Sequence, residues 1–139
     1  MDMKLVEKFK DEFPSKDGTF KAVQLDLSNE NEMHSVIACS QEDVASDTKT
    51  IHSDVLAKYL KKYGILYFTI PHPRMRHLVL TSPEGTIGTT KYKVAGMGLC
   101  TSSDDTYIFN LDSIDYGFKI DTTHLKRVQN RYPNLTLIG

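Results

Sequence analysis

The densest run of chemistry-bearing residues is His72-Pro73-Arg74-Met75-Arg76-His77. Two guanidiniums and two imidazoles on a proline-bent loop are groups that grip a phosphate, a carboxylate or a nucleic-acid backbone. An imidazole also titrates near neutral pH, where it can work as acid or base. The same four side chains equally suit a solvated loop that charge keeps off the core. A metal site needs a third and usually a fourth ligand. His34, His52 and His124 stand at no ligand-like spacing from His72 or His77, so no metal is expected.

Other chemistries find less support. No serine lies in a Gly-x-Ser-x-Gly elbow, and Gly96-Met97-Gly98 lacks the third glycine and the strand-to-helix setting of a dinucleotide loop. Asp104-Asp105 and Asp112 with Asp115 are acidic turns without the glycine and glutamate of a calcium loop. Cys39 and Cys100 each follow apolar residues and read as buried free thiols. The aromatics, with Tyr92 between Lys91 and Lys93, could form a base-stacking platform, but most stand where a core is needed. No catalytic residue is assigned and no cofactor is expected.

These residues need elements to position them. Leu5, Val6, Phe9 and Phe13 share a helical face over residues 4–13, with Lys4, Glu7, Lys8 and Asp11 toward water, and Pro14 ends the segment. Val23, Leu25 and Leu27 alternate with Gln24 and Asp26 as in a half-buried strand. A five-residue polar turn leads to a second strand over 33–40, which suggests a hairpin. Residues 41–49 read as a mobile acidic connection. Ser53 caps a second helix with Leu56, Tyr59, Leu60 and Tyr63 as its buried stripe, and Gly64 is its left-handed stop.

Residues 65–70 are nearly continuous in apolar and aromatic side chains, the pattern of a central strand, which Pro71 and Pro73 end. A strand resumes at 78–80, and 82–85 reads as a turn. Gly96 and Gly98, inside a strand over 94–100, mark a bulge or a close approach of another backbone. The chain then reads as a strand at 106–111, a short strand at 118–120, a helix at 122–131 and an apolar strand after Pro133. That last strand, with Leu135, Leu137 and Ile138, must pair with something or leave backbone groups unpaired, and so is a candidate interface. The expected architecture is a single α+β domain over 1–139, with a mostly antiparallel sheet and about three helices.

Composition narrows the function. A chain of 139 residues can bury a core without staples. A formal charge of −1 creates no field toward nucleic acid or anionic lipid. Two cysteines make no disulfide framework, and no apolar run reaches the ~20 residues that span a bilayer. A cytoplasmic protein with no membrane partner is expected.

Thr50-Ile51-His52-Ser53-Asp54-Val55-Leu56 resembles the opening of an MPN (Mov34/Pad1 N-terminal) domain, where a short strand ending in Ile-His leads into the first helix. Val94-Ala95-Gly96-Met97-Gly98-Leu99 is similar to that family's glycine-containing second strand, and Tyr107-Ile108-Phe109-Asn110 to its third. Tyr132-Pro133-Asn134-Leu135-Thr136-Leu137-Ile138-Gly139 resembles the lead-in to its Gly-Trp-Tyr strand. Catalytic members bind zinc through a His-x-His with a downstream Ser and Asp, helped by a glutamate on the second strand. This chain reaches Gly139 before that motif and offers no such glutamate around Lys91-Tyr92-Lys93-Val94. The resemblance therefore implies an inactive scaffold domain, whole or truncated, that pairs with another copy of the fold.

Two functional expectations follow. The first is a non-catalytic protein–protein interaction or regulatory module, acting on a partner or by self-association through an exposed edge strand or the 71–77 loop. The second is a phosphate- or nucleotide-binding or hydrolytic domain that uses His72, Arg74, Arg76 and His77.

Overall fold

The computed structural model describes residues 4–46, 49–75, 77–113 and 116–139. In chain order the elements are α1 (Leu5–Lys8), β1 (Gly18–Ser28), β2 (Met33–Cys39), α2 (His52–Lys62), β3 (Thr69–Pro71), β4 (Val79–Thr81), β5 (Glu84–Ile87), β6 (Thr90–Ser103), β7 (Thr106–Asn110), α3 (Thr122–Gln129) and β8 (Thr136–Ile138). Six strands form one sheet in the order β2-β1-β6-β7-β8, with β5 also paired to β6, while β3 and β4 make a separate two-stranded ribbon. Every pairing is antiparallel except that of β8 with β7. This is a mostly antiparallel α+β domain with three helices. Among the described residues no helix is long and apolar enough to cross a membrane.

The sheet is covered on both faces. Val23, Leu25, Leu27, Val36, Val94 and Met97 pack on one face beneath α1 and α2, with Leu5, Phe9, Leu56, Tyr59 and Leu60. Phe20, Ala22, Ile37, Cys100 and Phe109 pack on the other beneath α3, with Leu125 and Val128. This corrects the half-buried reading of β1, in which Gln24 would face water. Gln24 is fully buried because α3 lies over its face. Its carboxamide accepts from the Asp121 N–H (2.8 Å) and donates to the Asp121 carbonyl (2.9 Å), so one buried polar side chain docks the start of α3 on the central strand.

α1 is a single turn, and the chain is extended from Phe9 onward. Leu5 and Phe9 are buried, but Val6, expected on the same face, is exposed, and Asp11 is not on a wet helical face. Its carboxylate accepts from the Ile37 N–H (2.8 Å), the Arg131 guanidinium (2.8 Å) and the Tyr132 hydroxyl (2.5 Å). Burial and that carboxylate push the Tyr132 hydroxyl up to about 12. The α2 N-cap is Ile51, not Ser53: Asp54 accepts from the Ile51 N–H (3.0 Å), while Ser53 is buried. Gly64 has the left-handed φ of 73° expected of it. Residues 41–46 are pinned rather than loose, since Asp43 accepts from the Thr19 N–H (2.9 Å) and Val44 donates to the Thr19 carbonyl (2.8 Å). Residues 47 and 48 lie outside the described residues.

Both glycine expectations on β6 hold. The register with β1 shifts at Gln24/Leu25, leaving Ala95 as the bulged residue between Gly96 and Val94. A Cβ on Gly96 would meet the Gln24 Oε1, the Lys119 carbonyl and the Asp121 nitrogen, and one on Gly98 the Asn110 carbonyl. The second half of the expected turn at 82–85, Glu84 and Gly85, belongs to β5, which pairs with β6. The expected strand at 118–120 is reduced to one bridge between Asp112 and Lys119.

Candidate functional site

The largest departure from the sequence reading is at residues 65–70, which are not a central strand. Ile65 is buried at the end of α2, and beyond it Leu66 is 72% and Phe68 75% exposed. β3 follows and pairs only with β4, in the register Thr69 to Thr81 and Pro71 to Val79. Tyr67 packs against the core and Leu80 and Thr81 are buried, so the ribbon forms an arm that lies on the body by one face, while Met75, Leu78 and Val79 are also exposed. Val79 alone is 62% exposed. The arm is fastened at its base: Thr81 donates its N–H to the Ser53 hydroxyl (2.8 Å), and the Tyr116 hydroxyl donates to the Thr81 carbonyl (2.6 Å).

The tip is a closed turn. His72 donates its N–H to the Leu78 carbonyl (3.0 Å), and Leu78 donates to the Met75 carbonyl (3.0 Å). The His72 ring is buried, and its Nδ1 accepts from the backbone N–H of both Arg74 and Met75, each at 3.0 Å. That bonding puts the ring proton on Nε2. His72 is thus a side-chain brace for the turn rather than an exposed ligand group. Arg74 and His77 are exposed on the same tip, and Arg76 lies outside the described residues.

The concavities lie elsewhere. A groove of about 400 Å³ runs between α2 and the end of β2, lined by Glu12, Cys39, Asp54, Lys58 and Lys62 among others. A smaller one of about 320 Å³ separates the hairpin tips at Asn29 and Gly88. Cys39 and Cys100 are buried on the α3 side, and burial together with the adjacent Cys100 thiol pushes the Cys39 thiol well up. A thiol so placed is a poor nucleophile.

One cluster that sequence spacing could not reveal looks like hydrolytic machinery and is wired differently. Ser35, Asp26 and His124 share a corner, but the Ser35 hydroxyl donates to Asp26 (2.7 Å), not to the histidine. The His124 Nε2 meets the Leu25 carbonyl at 2.9 Å and its Nδ1 the Gln24 amide at 3.2 Å. Burial holds the His124 imidazole below its usual range. Arg127 completes the corner by donating to Ser35 (2.8 Å). With both ring nitrogens engaged and no hydroxyl directed at it, His124 is a docking residue for α3.

β8 lies at the sheet edge, as its sequence implied, but that edge is occupied. Thr136 donates toward β7 through the Asp105 carbonyl (2.9 Å), so the groups of Leu135 and Leu137 point away. There the Gln129 carboxamide accepts from the Leu137 N–H (2.6 Å) and donates to the Leu135 carbonyl (2.7 Å). A side-chain amide stands where a neighbouring strand's peptide would. Leu137 packs inward, leaving Ile138 as the exposed apolar side chain of the three.

The sequence did carry one signal for the arm. From residue 65 to residue 83 there is no carboxylate, and the only Lys or Arg residues in that stretch of sequence are Arg74 and Arg76. No family model matches this chain, and no curated protein matches it.

Proposed function

We propose that the chain is a non-catalytic interaction module that binds a protein partner through the β3–β4 arm. The observation that carries this reading is the exposure of Leu66, Phe68 and Val79 on a ribbon without charged side chains outside its tip. Exposed apolar area of that kind is what a partner covers. The β8 edge supports the choice of surface, because Gln129 already satisfies the backbone groups a partner strand would use. Two free thiols suit a reducing compartment such as the cytoplasm.

The test compares the wild-type chain with the double variant Leu66→Asp/Phe68→Asp in affinity capture from the native source. Because both side chains are exposed, the variant should melt at the wild-type temperature. Partners retained by the wild type should disappear from the variant. Identical partner sets on the two proteins would overturn the reading. A phosphate-binding role for His72, Arg74, Arg76 and His77 makes a different prediction, since nucleotides would then raise the melting temperature. We expect no shift.

A further inference from the structure

We infer that the partner of the arm is a second copy of this chain, joined by antiparallel pairing of β3 with its counterpart about a two-fold axis at Thr69. This rests on the reading of the arm as the binding surface. The bonds Ser82 N–H to Phe68 carbonyl (2.7 Å) and His72 N–H to Leu78 carbonyl (3.0 Å) show which residues face β4. Phe68, Ile70 and His72 direct their backbone groups into the ribbon. Thr69 alternates with them and turns its N–H and carbonyl outward, as Pro71 does its carbonyl. Among the described residues nothing pairs with these groups. They form an open strand edge beside exposed apolar side chains, unlike the edge of β8.

Three features favour a second copy over an unlike partner. First, residues 65–73 contain no Asp, Glu, Lys or Arg, so laying the segment against itself sets no like charges together. Edge strands that stay single usually carry lysine or an inward charge, and this one carries neither. Second, antiparallel pairing sends the two tips, each with an exposed Arg74, to opposite ends of the joint. A parallel arrangement would bring them together. Third, Leu66 and Phe68, 72% and 75% exposed, adjoin the open edge of β3, so pairing there covers apolar surface that the body leaves out. Pro71 supplies an acceptor but no donor, which confines the joint to a short ladder and makes it a reversible dimer.

The experiment has two arms. Sedimentation of the wild-type chain across a concentration series should show a monomer–dimer equilibrium, and Phe68→Asp should shift it to monomer without changing the melting temperature. Thr69→Cys is then oxidised under mild conditions. Residues facing each other on the two-fold lie about 5.5 Å apart at Cα, within disulfide range. This variant should form a covalent dimer, while Val79→Cys on β4 should not. The native thiols are buried and do not compete. A wild type that stays monomeric throughout, or a dimer that survives Phe68→Asp and cross-links no better at Thr69→Cys than at Val79→Cys, would overturn the inference. If the wild type is monomeric but still captures an arm-dependent partner, only the identity of the partner falls and the arm remains the binding surface.

Discussion

His34 and His124 are buried imidazoles whose surroundings favour the neutral form. The His34 Nε2 meets the Phe9 carbonyl at 2.9 Å, and His124 lies between Gln24 and the Leu25 carbonyl. Burial holds both below the ordinary 6.5. Above that pH the folded and unfolded chains are both neutral at these sites, and the stabilisation is fully present. Below it the unfolded chain takes up protons that the folded chain resists, so stability falls as pH drops from 6.5 through the lower folded values. Denaturant midpoints taken between about pH 8 and pH 5 should show this decline, and His124→Gln should flatten it. An unchanged slope in that variant would remove His124 from the account. Crowding at glycine gives a second residue-level prediction. Gly96→Ala places a Cβ against buried backbone and a pinned glutamine, and should cost about 2–3 kcal/mol in chemical denaturation. Gly64→Ala meets no neighbour and incurs only the strain of a positive φ, about 1 kcal/mol.

At the level of elements, the sheet manages its edges in different ways. β2 is shielded by the strand-like approach of Glu12, which donates to the Ile37 carbonyl (2.8 Å) and accepts from the Cys39 N–H (2.9 Å). β8 is shielded by Gln129, and β3 by nothing among the described residues. Removing the β8 guard should have a measurable local effect. Gln129→Ala gives up two hydrogen bonds that water can replace, so the global loss should be about 1 kcal/mol. The Leu137 amide, however, should exchange with solvent much faster. Unaltered exchange at Leu137 would mean that Gln129 does not guard the edge. The contrast between a plugged edge and an open one is what singles out the arm.

Over the whole molecule, protection against exchange should be graded. β1 and β6 lie side by side between the two helical layers, with Phe20, Val23, Leu25, Met97 and Cys100 among their buried side chains. Their amides should open only with global unfolding. The β3–β4 ribbon has three residues in each strand and exposes much of its surface, and two-stranded ribbons are marginal by themselves. Hydrogen exchange followed by mass spectrometry should therefore find peptides from the arm exchanging first in dilute protein. Arm amides as slow as those of β1 would show that the ribbon is more firmly held than its contacts suggest. The three layers also explain how a chain of modest apolar content completes a core. Gln24, Asp11 and Asp26 tie α3 and the segment after it to the sheet by hydrogen bonds where apolar contacts end.

Several features follow from the chain itself. Alternation and helical spacing placed the β1–β2 hairpin, α2 and α3, and Gly96 and Gly98 announced a crowded strand, because these depend on local period and on the absence of a Cβ. The two-sided burial of β1 was not legible, since Gln24 reads as a solvent-facing residue until α3 lies over it. The roles of the histidines were hidden for the same reason: what His72 and His124 bond to is set by backbone groups brought to them by folding. The arm is the sharpest case. An apolar run such as 65–70 has the same sequence pattern whether its own chain covers it or it awaits another, because hydrophobicity records that a surface is to be buried and not against what. Only the tertiary structure, by spending the core on other strands, left that surface outside.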